Sequence, residues 1–363
     1  MKKNEKKAFY LHSLNGWRGI SVILVIIQHI RDQFISFNHV LFPFNLVPDY
    51  LYNHFKEVGL DGVRVFFVIS GFLITSRVIQ EVNKYGNFSL KEFLIKRFFR
   101  IFPPFYVYLF VLFICSFSND VITINEILLC SIFLKYAHVP VGLNGTYTVH
   151  IWSLCLEEYF YIFQSALFFC VSNLRKIALT LGALFLTSLI LLQLFYMKGY
   201  LLEAHTKAVL GRLIEIRFIL LGSVIGFFEY KYSHRKLKAL IQKYQTFFVG
   251  LFIITTLTTT KLKGFYYPFI VTLAIYSTSI NPNKFSKVIF DNKALSKIGV
   301  WSYSIYLWQQ FFLPLKGGEV SPLSFTQAYP QNIIFILIFA IVSHIAVEKP
   351  LLLFSKRFLS RRI

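Results

Sequence analysis

Stretches of about 20 mostly apolar residues, the length needed to cross a hydrocarbon core roughly 30 Å thick, recur ten times along this 363-residue chain. They fall at 14–33, 58–80, 98–118, 150–172, 176–197, 208–229, 245–260, 264–281, 298–315 and 331–352. A chain so built cannot coat itself with polar groups. Hydrophobic residues make up 56% and charged residues 15%, against about 25% charged in a soluble domain, and the mean hydropathy is +0.58. The expected fold is therefore all-α, a single polytopic membrane bundle of about ten transmembrane helices. The stretch 124–134 is apolar but half the necessary length, and reads as interfacial or re-entrant.

Basic residues orient the bundle. With the N-terminus in the cytoplasm, 25 of the 38 Lys and Arg residues fall on the inner side, 8 on the outer side and 5 within spans. That is the asymmetry expected when positive loops stay inside. Making 124–134 a full span would invert everything after it and spoil the asymmetry. Both termini are thus expected in the cytoplasm. The basic N-terminal cluster leads into a run with no small-residue cleavage site, so it reads as a retained first span rather than a signal peptide. The net charge of +21 points to anionic lipid headgroups rather than nucleic acid. Cys115, Cys130, Cys155 and Cys170 lack the close spacing of a metal or redox site and read as small buried hydrophobes; no metal is expected.

Ionisable residues inside spans need a reason, because each costs about 2.5–3.5 kcal/mol on insertion scales. Arg18 and His29 both lie in the first span. Eleven residues at about 100° each close to within roughly 20° of three turns, so the two share a helix face about 16 Å apart. Arg18 alone could be a snorkelling anchor, and His29 alone a packed histidine. The fourth span carries adjacent carboxylates, Glu157 and Glu158, at about the depth of His29; helix geometry lets one of them face that ring squarely. A carboxylate beside an imidazole orients the ring and stabilises its charged form, which makes a general base. A structural pairing with an intramembrane Arg such as Arg64 or Arg212 is the competing reading; Arg64 has either Asp61, one turn earlier, or a fourth-span Glu as its candidate partner. At the inner mouth of the third span, Arg97 and Arg100 share a face at i, i+3. They serve either as a positive-inside anchor or as paired guanidinium forks for phosphate.

In order along the chain, these residues resemble the acyltransferase-3 family of membrane enzymes, which move acetyl or other acyl groups onto extracytoplasmic glycans. Leu14-Asn15-Gly16-Trp17-Arg18-Gly19 followed by His29 resembles its L-D-G-x-R-G opening and R-x10-H spacing. Gly62-Val63-Arg64-Val65-Phe66-Phe67-Val68-Ile69-Ser70-Gly71-Phe72-Leu73 resembles G-V-D-x-F-F-V-x-S-G-F-L. Arg97 to Pro103 resembles R-x-x-R-I-x-P, and Trp152-Ser153-Leu154 through Glu157-Glu158 to Phe160-Tyr161 resembles W-S-L-x-x-E-E-x-F-Y. Ser302 to Trp308 and Glu348-Lys349-Pro350 resemble the S-Y-x-x-Y-L-W-H and E-x-P closers. Asn15 stands where the family usually has Asp, Arg64 where it often has Asp, and Gln309 where it usually has His.

The resemblance implies an O-acyltransferase, most simply an O-acetyltransferase, that takes its acyl group from cytoplasmic acetyl-CoA or another acyl-CoA. The acceptor is a glycan hydroxyl on a lipid-linked or surface polysaccharide such as O-antigen, lipopolysaccharide or capsule. It implies an inner-membrane location; catalytic roles for His29, Glu157 and Glu158; donor contacts at Arg18, Arg97 and Arg100; and substrate contacts at Trp152, Ser153 and Tyr161. The competing class is a transporter or glycan translocator using the same buried charges for binding, although no internal repeat of the kind common in transporters is visible.

Overall fold

A computed structural model describes residues 13–30, 58–117, 124–135, 147–231, 235–258, 263–280, 282–313 and 324–360. The N-terminal basic cluster, the last three residues of the expected first span and residues 361–363 lie outside these. Among the described residues every regular element is a helix. Four helices are long and apolar enough to cross a membrane: α2 (Val58–Tyr85), α3 (Leu90–Ser116), α6 (Leu174–Lys198) and the continuous run Gln331–Leu359. A bent pair across Tyr244 makes a fifth candidate. These helices turn large apolar side chains outward, with Phe110 62%, Leu179 73% and Ile190 61% exposed. Water would penalise such faces, whereas lipid accommodates them.

The described residues form two units. The first contains residues up to 88, 171–201 and 213–302. Its central helix is α2, of which 78% of the most apolar window is buried. It packs along α8 (Ile216–Lys231). The backbones touch because the contact residues lack side chains: a Cβ at Gly71 would lie 2.0 Å from the Ile219 carbonyl oxygen, and one at Gly222 2.3 Å from that of Val68. Small residues at such crossings are how helices associate without a hydrophobic drive from water. Helix α1 (13–30) is pinned by Trp17, fully buried. Its indole stacks on Phe290 at 4.3 Å, meets Phe252 edge-on at 5.1 Å, and donates to Thr278 Oγ1 at 2.8 Å.

The span expected over 208–229 is interrupted. Helix α7 (Ala204–Ile214) ends, Glu215 forms a turn, and α8 begins at Ile216. The interruption has a cause in side chains. Arg217 donates from Nη1 to the Ile214 carbonyl at 2.8 Å and from Nε to the Gly264 carbonyl at 3.2 Å. A guanidinium thereby satisfies a backbone acceptor released at the break.

The second unit contains residues 89–170, 202–212 and 303 onward. Helix α3 starts at Ser89, whose side chain accepts from the Glu92 amide, as N-caps do. It packs against α4 (Ile124–Ser131), α5 (Ile151–Cys170) and the C-terminal helix. At 8 residues, α4 reaches about 12 Å at 1.5 Å per residue, far short of a bilayer. A buried Glu126–Lys135 ion pair of 2.6 Å, joined by Thr148 at 3.1 Å, holds it. The C-terminal run consists of α15 (Gln331–Ser343), one π-helical turn (His344–Glu348) and α16 (Lys349–Ser360).

Candidate functional site

In the first unit, Arg18 and His29 stand on the single unbroken helix α1, each half-buried, and each has partners. The glycines of the opening motif set that helix against its neighbours. A Cβ on Gly16 would lie 2.1 Å from the Phe290 carbonyl oxygen, so the motif's small residues fix the axis on which Arg18 and His29 are displayed.

Beside this helix the unit contains an ion network. Arg64 forks onto Glu215, Nε to Oε2 at 2.8 Å and Nη2 to Oε1 at 2.9 Å, and its Nη1 reaches Asp61 at 2.9 Å. Lys263 Nζ binds the other Asp61 oxygen at 2.6 Å, and Arg217 Nη2 reaches Glu215 at 3.2 Å. Phe218 and Tyr267 face the Arg64 guanidinium at 5.3 and 5.9 Å. Both carboxylates are multiply bonded, which is what makes buried charges tolerable. Of the two partners the sequence offered Arg64, Asp61 is found and Glu215 supplies the second. Lys263, like Asp61, is buried.

In the second unit the adjacent glutamates face different company. Glu158 is buried, within electrostatic range of Arg97 and of Tyr303. Glu157 is half-buried and within range of Tyr306 and, less strongly than Glu158, of Tyr303; the Tyr306 hydroxyl is also within range of Arg212. The roughly 100° between consecutive helix positions produces this division.

Around Glu158 stand the residues of the inner-mouth motif. Arg97 lies over the Tyr161 ring at 4.0 Å, a cation–π contact. Tyr303, on α13 (Lys293–Trp308), donates to the Ile101 carbonyl at 2.8 Å and lies within range of Arg100 and Glu348. Pro103 and Pro104 sit inside α3 just beyond Arg100, where each removes a backbone donor. Around Glu157, the Trp152 ring lies 5.6 Å from the Arg212 guanidinium. Ser153 Oγ and Tyr306 Oη hydrogen-bond at 2.6 Å, and both lie within reach of the His150 carbonyl, at 3.2 and 3.0 Å, which accepts from whichever hydroxyl does not donate to the other. His150 Nε2 donates to the Leu307 carbonyl at 3.1 Å. Trp152, Ser153 and Glu157 thus gather near Tyr306, and Tyr161 and Glu158 near Arg97, with Tyr303 within range of Arg100 and of both glutamates. Sequence reasoning singled out neither His150 nor the partners of Glu215 and Lys263, nor the contact of His344 with Glu348; the last was legible as an i, i+4 spacing within an apolar run.

The residues at 11–348 match the sequence model of the family described as an acyltransferase domain, acyltransferase-3. The chain belongs to the acyltransferase-3 family. Two relatives, "Putative O-acetyltransferase SACOL0978" of Staphylococcus aureus strain COL and its counterpart SAS0844 of strain MSSA476, are each 27% identical over 379 residues, covering 95% of this chain and 58% of their own length. "O-acetyltransferase OatA" of S. aureus strain NCTC 8325 is 26% identical over 321 residues, covering 82% of this chain and 50% of its own. The chain thus spans between half and three-fifths of the length of these relatives. No solved structure matches it. Among the described residues no group of His, Cys, Asp and Glu could hold a metal ion.

Proposed function

We propose that the protein is a membrane O-acetyltransferase moving an acetyl group from cytoplasmic acetyl-CoA to a hydroxyl of a lipid-linked or cell-surface glycan. What supports this most is the match to the acyltransferase-3 family over 11–348, together with relatives whose names specify O-acetyl transfer. Ten spans with both termini in the cytoplasm, in an inner membrane, is the accompanying topology. It draws on the charge asymmetry of the sequence and on the apolar faces that α2, α3, α6 and Gln331–Leu359 supply.

The donor's phosphates are assigned to the inner-mouth cations Arg18, Arg97 and Arg100, where guanidinium forks match phosphoryl oxygens. His29, oriented by Glu157, takes the proton from the acceptor hydroxyl as its oxygen attacks the thioester carbonyl. The C–O bond forms, the tetrahedral intermediate collapses, the C–S bond breaks, and the CoA thiolate leaves and takes up a proton. A variant of the same chemistry places the acyl group first on His29 and then on the acceptor. The pairing of His29 with Glu157 is carried by the sequence motifs. Trp152, Ser153 and Tyr161 are assigned to substrate contact; of these, Trp152 and Ser153 lie in the cluster near Glu157, and Tyr161 lies under Arg97.

Mass spectrometry of surface glycans from cells expressing wild type or His29→Ala tests the proposal. An acetyl-sized increment present only with wild type is expected. Identical glycans from both, alongside transport of a glycan without acetyl-CoA consumption, would favour a translocator instead.

A further inference from the structure

The C-terminal apolar helix changes character for one turn. At His344–Glu348 it widens to a π-helix, closed by the Lys349 amide donating to the His344 carbonyl. Such single widened turns occur often at functional sites. This one contains an imidazole and a carboxylate in contact: His344 Nδ1 lies 2.9 Å from Glu348 Oε2. The same oxygen accepts from Ser304 Oγ at 3.2 Å, so Glu348, 3% exposed, is itself held. A carboxylate on Nδ1 fixes the ring and leaves the other nitrogen as its working atom. His344 Nε2 has no hydrogen-bond partner among the described residues, and the side chain keeps 13% of its surface open.

The turn sits with the guanidinium motif. It packs against α3, and Phe99 of that helix meets Phe354 of α16 at 5.5 Å. Tyr303 and Ser304 are consecutive. One binds the Ile101 carbonyl and lies within electrostatic range of Arg100, and the other binds Glu348. Exposed Lys349, Lys356 and Arg357 follow directly. An imidazolium, one N–H held by a buried carboxylate and the other open at a cationic end of its unit, is chemistry for donating to an anionic oxygen.

We propose that His344, oriented by Glu348, is a further binding residue for the donor: as an imidazolium it donates Nδ1–H to Glu348 and Nε2–H to a phosphoryl oxygen of the acyl-CoA nucleotide. This rests on the donor reading above. The test uses the purified full chain in maltoside micelles, which contain no phosphate, and compares acetyl-CoA with acetyl-pantetheine, a donor without phosphates. His344→Ala is expected to raise KM for acetyl-CoA roughly tenfold, the order of a hydrogen bond to a charged group, and to leave kcat and the acetyl-pantetheine KM unchanged. His344→Gln, which keeps an N–H at similar reach, should recover part of the loss. If His344→Ala does not fold, Glu348→Gln carries the comparison, with a smaller rise confined to acetyl-CoA. An equal rise with both donors would make the role structural and overturn the proposal. So would an effect seen only in phospholipid vesicles, which would assign Nε2 to a lipid headgroup. An unchanged acetyl-CoA KM, with Arg97→Ala still raising it, would sink this inference and spare the donor reading. A wild type that neither binds nor uses acetyl-CoA would end both.

Discussion

Arg64 and Glu215, 151 residues apart, meet through two parallel hydrogen bonds of 2.8 and 2.9 Å. The contact joins α2 to the turn where the helix of residues 204–231 breaks. A guanidinium buried within the unit needs compensation, and Glu215 provides it.

Breaking this buried pair from one side strands a charge. Arg64→Ala should cost about 3–5 kcal/mol, read as a large drop in thermal unfolding temperature in detergent. Arg64→Glu combined with Glu215→Arg should recover much of it, because the pair's charges are exchanged rather than removed. A double variant no better than Arg64→Ala would show that the pair does not act as a unit.

The close crossing of α2 and α8 makes a steric prediction. Gly71→Leu places a side chain where even a Cβ would lie 2.0 Å from the Ile219 carbonyl oxygen. Backbone cannot give way as a flexible side chain would, so the helices must separate. Loss of the folded, monodisperse peak in detergent chromatography is expected, whereas Gly250→Leu, whose Cβ meets nothing within 4 Å, should elute as wild type.

The division of the two glutamates predicts two phenotypes. Glu157→Gln should lower kcat by about 10²–10⁴, the usual value of acid–base assistance. Glu158→Gln, beside Arg97 and Tyr303, should act mainly on the donor KM. Steady-state kinetics at varied acetyl-CoA separates them. The same effect from both substitutions would contradict the division.

Arg97→Ala and Arg100→Ala should each raise the donor KM with kcat preserved, the mark of lost ground-state binding. Arg97 also contacts Tyr161 at 4.0 Å, so Arg97→Lys, which keeps charge but not the planar fork, should restore only part of the affinity. A full restoration would mean that charge alone matters there.

Much of this architecture was legible because lipid imposes strong rules on a chain. The all-helical class, the short segment at 124–131 and the helix bearing Arg18 and His29 follow from run length and periodicity. The Asp61–Arg64 contact followed from i, i+3 spacing. Glu215 and Lys263 did not, since their partners lie far away in sequence and only packing brings them together. The break at Glu215 was hidden for a related reason: residues 208–229 are apolar enough to read as one helix, and the stop depends on Arg217 capturing carbonyls from two segments. The adjacent glutamates stood out in the sequence, but the nearness of Glu158 to Arg97 and of Glu157 to Tyr306 needed the rotation of α5 against its neighbours.

The most direct test concerns His29. In membranes with equal amounts of folded protein, transfer of radiolabelled acetyl from acetyl-CoA to the glycan fraction should fall at least about 10²-fold in His29→Ala, with acetyl-CoA binding intact. Transfer at the wild-type rate by that variant would contradict the assignment of His29 as the base.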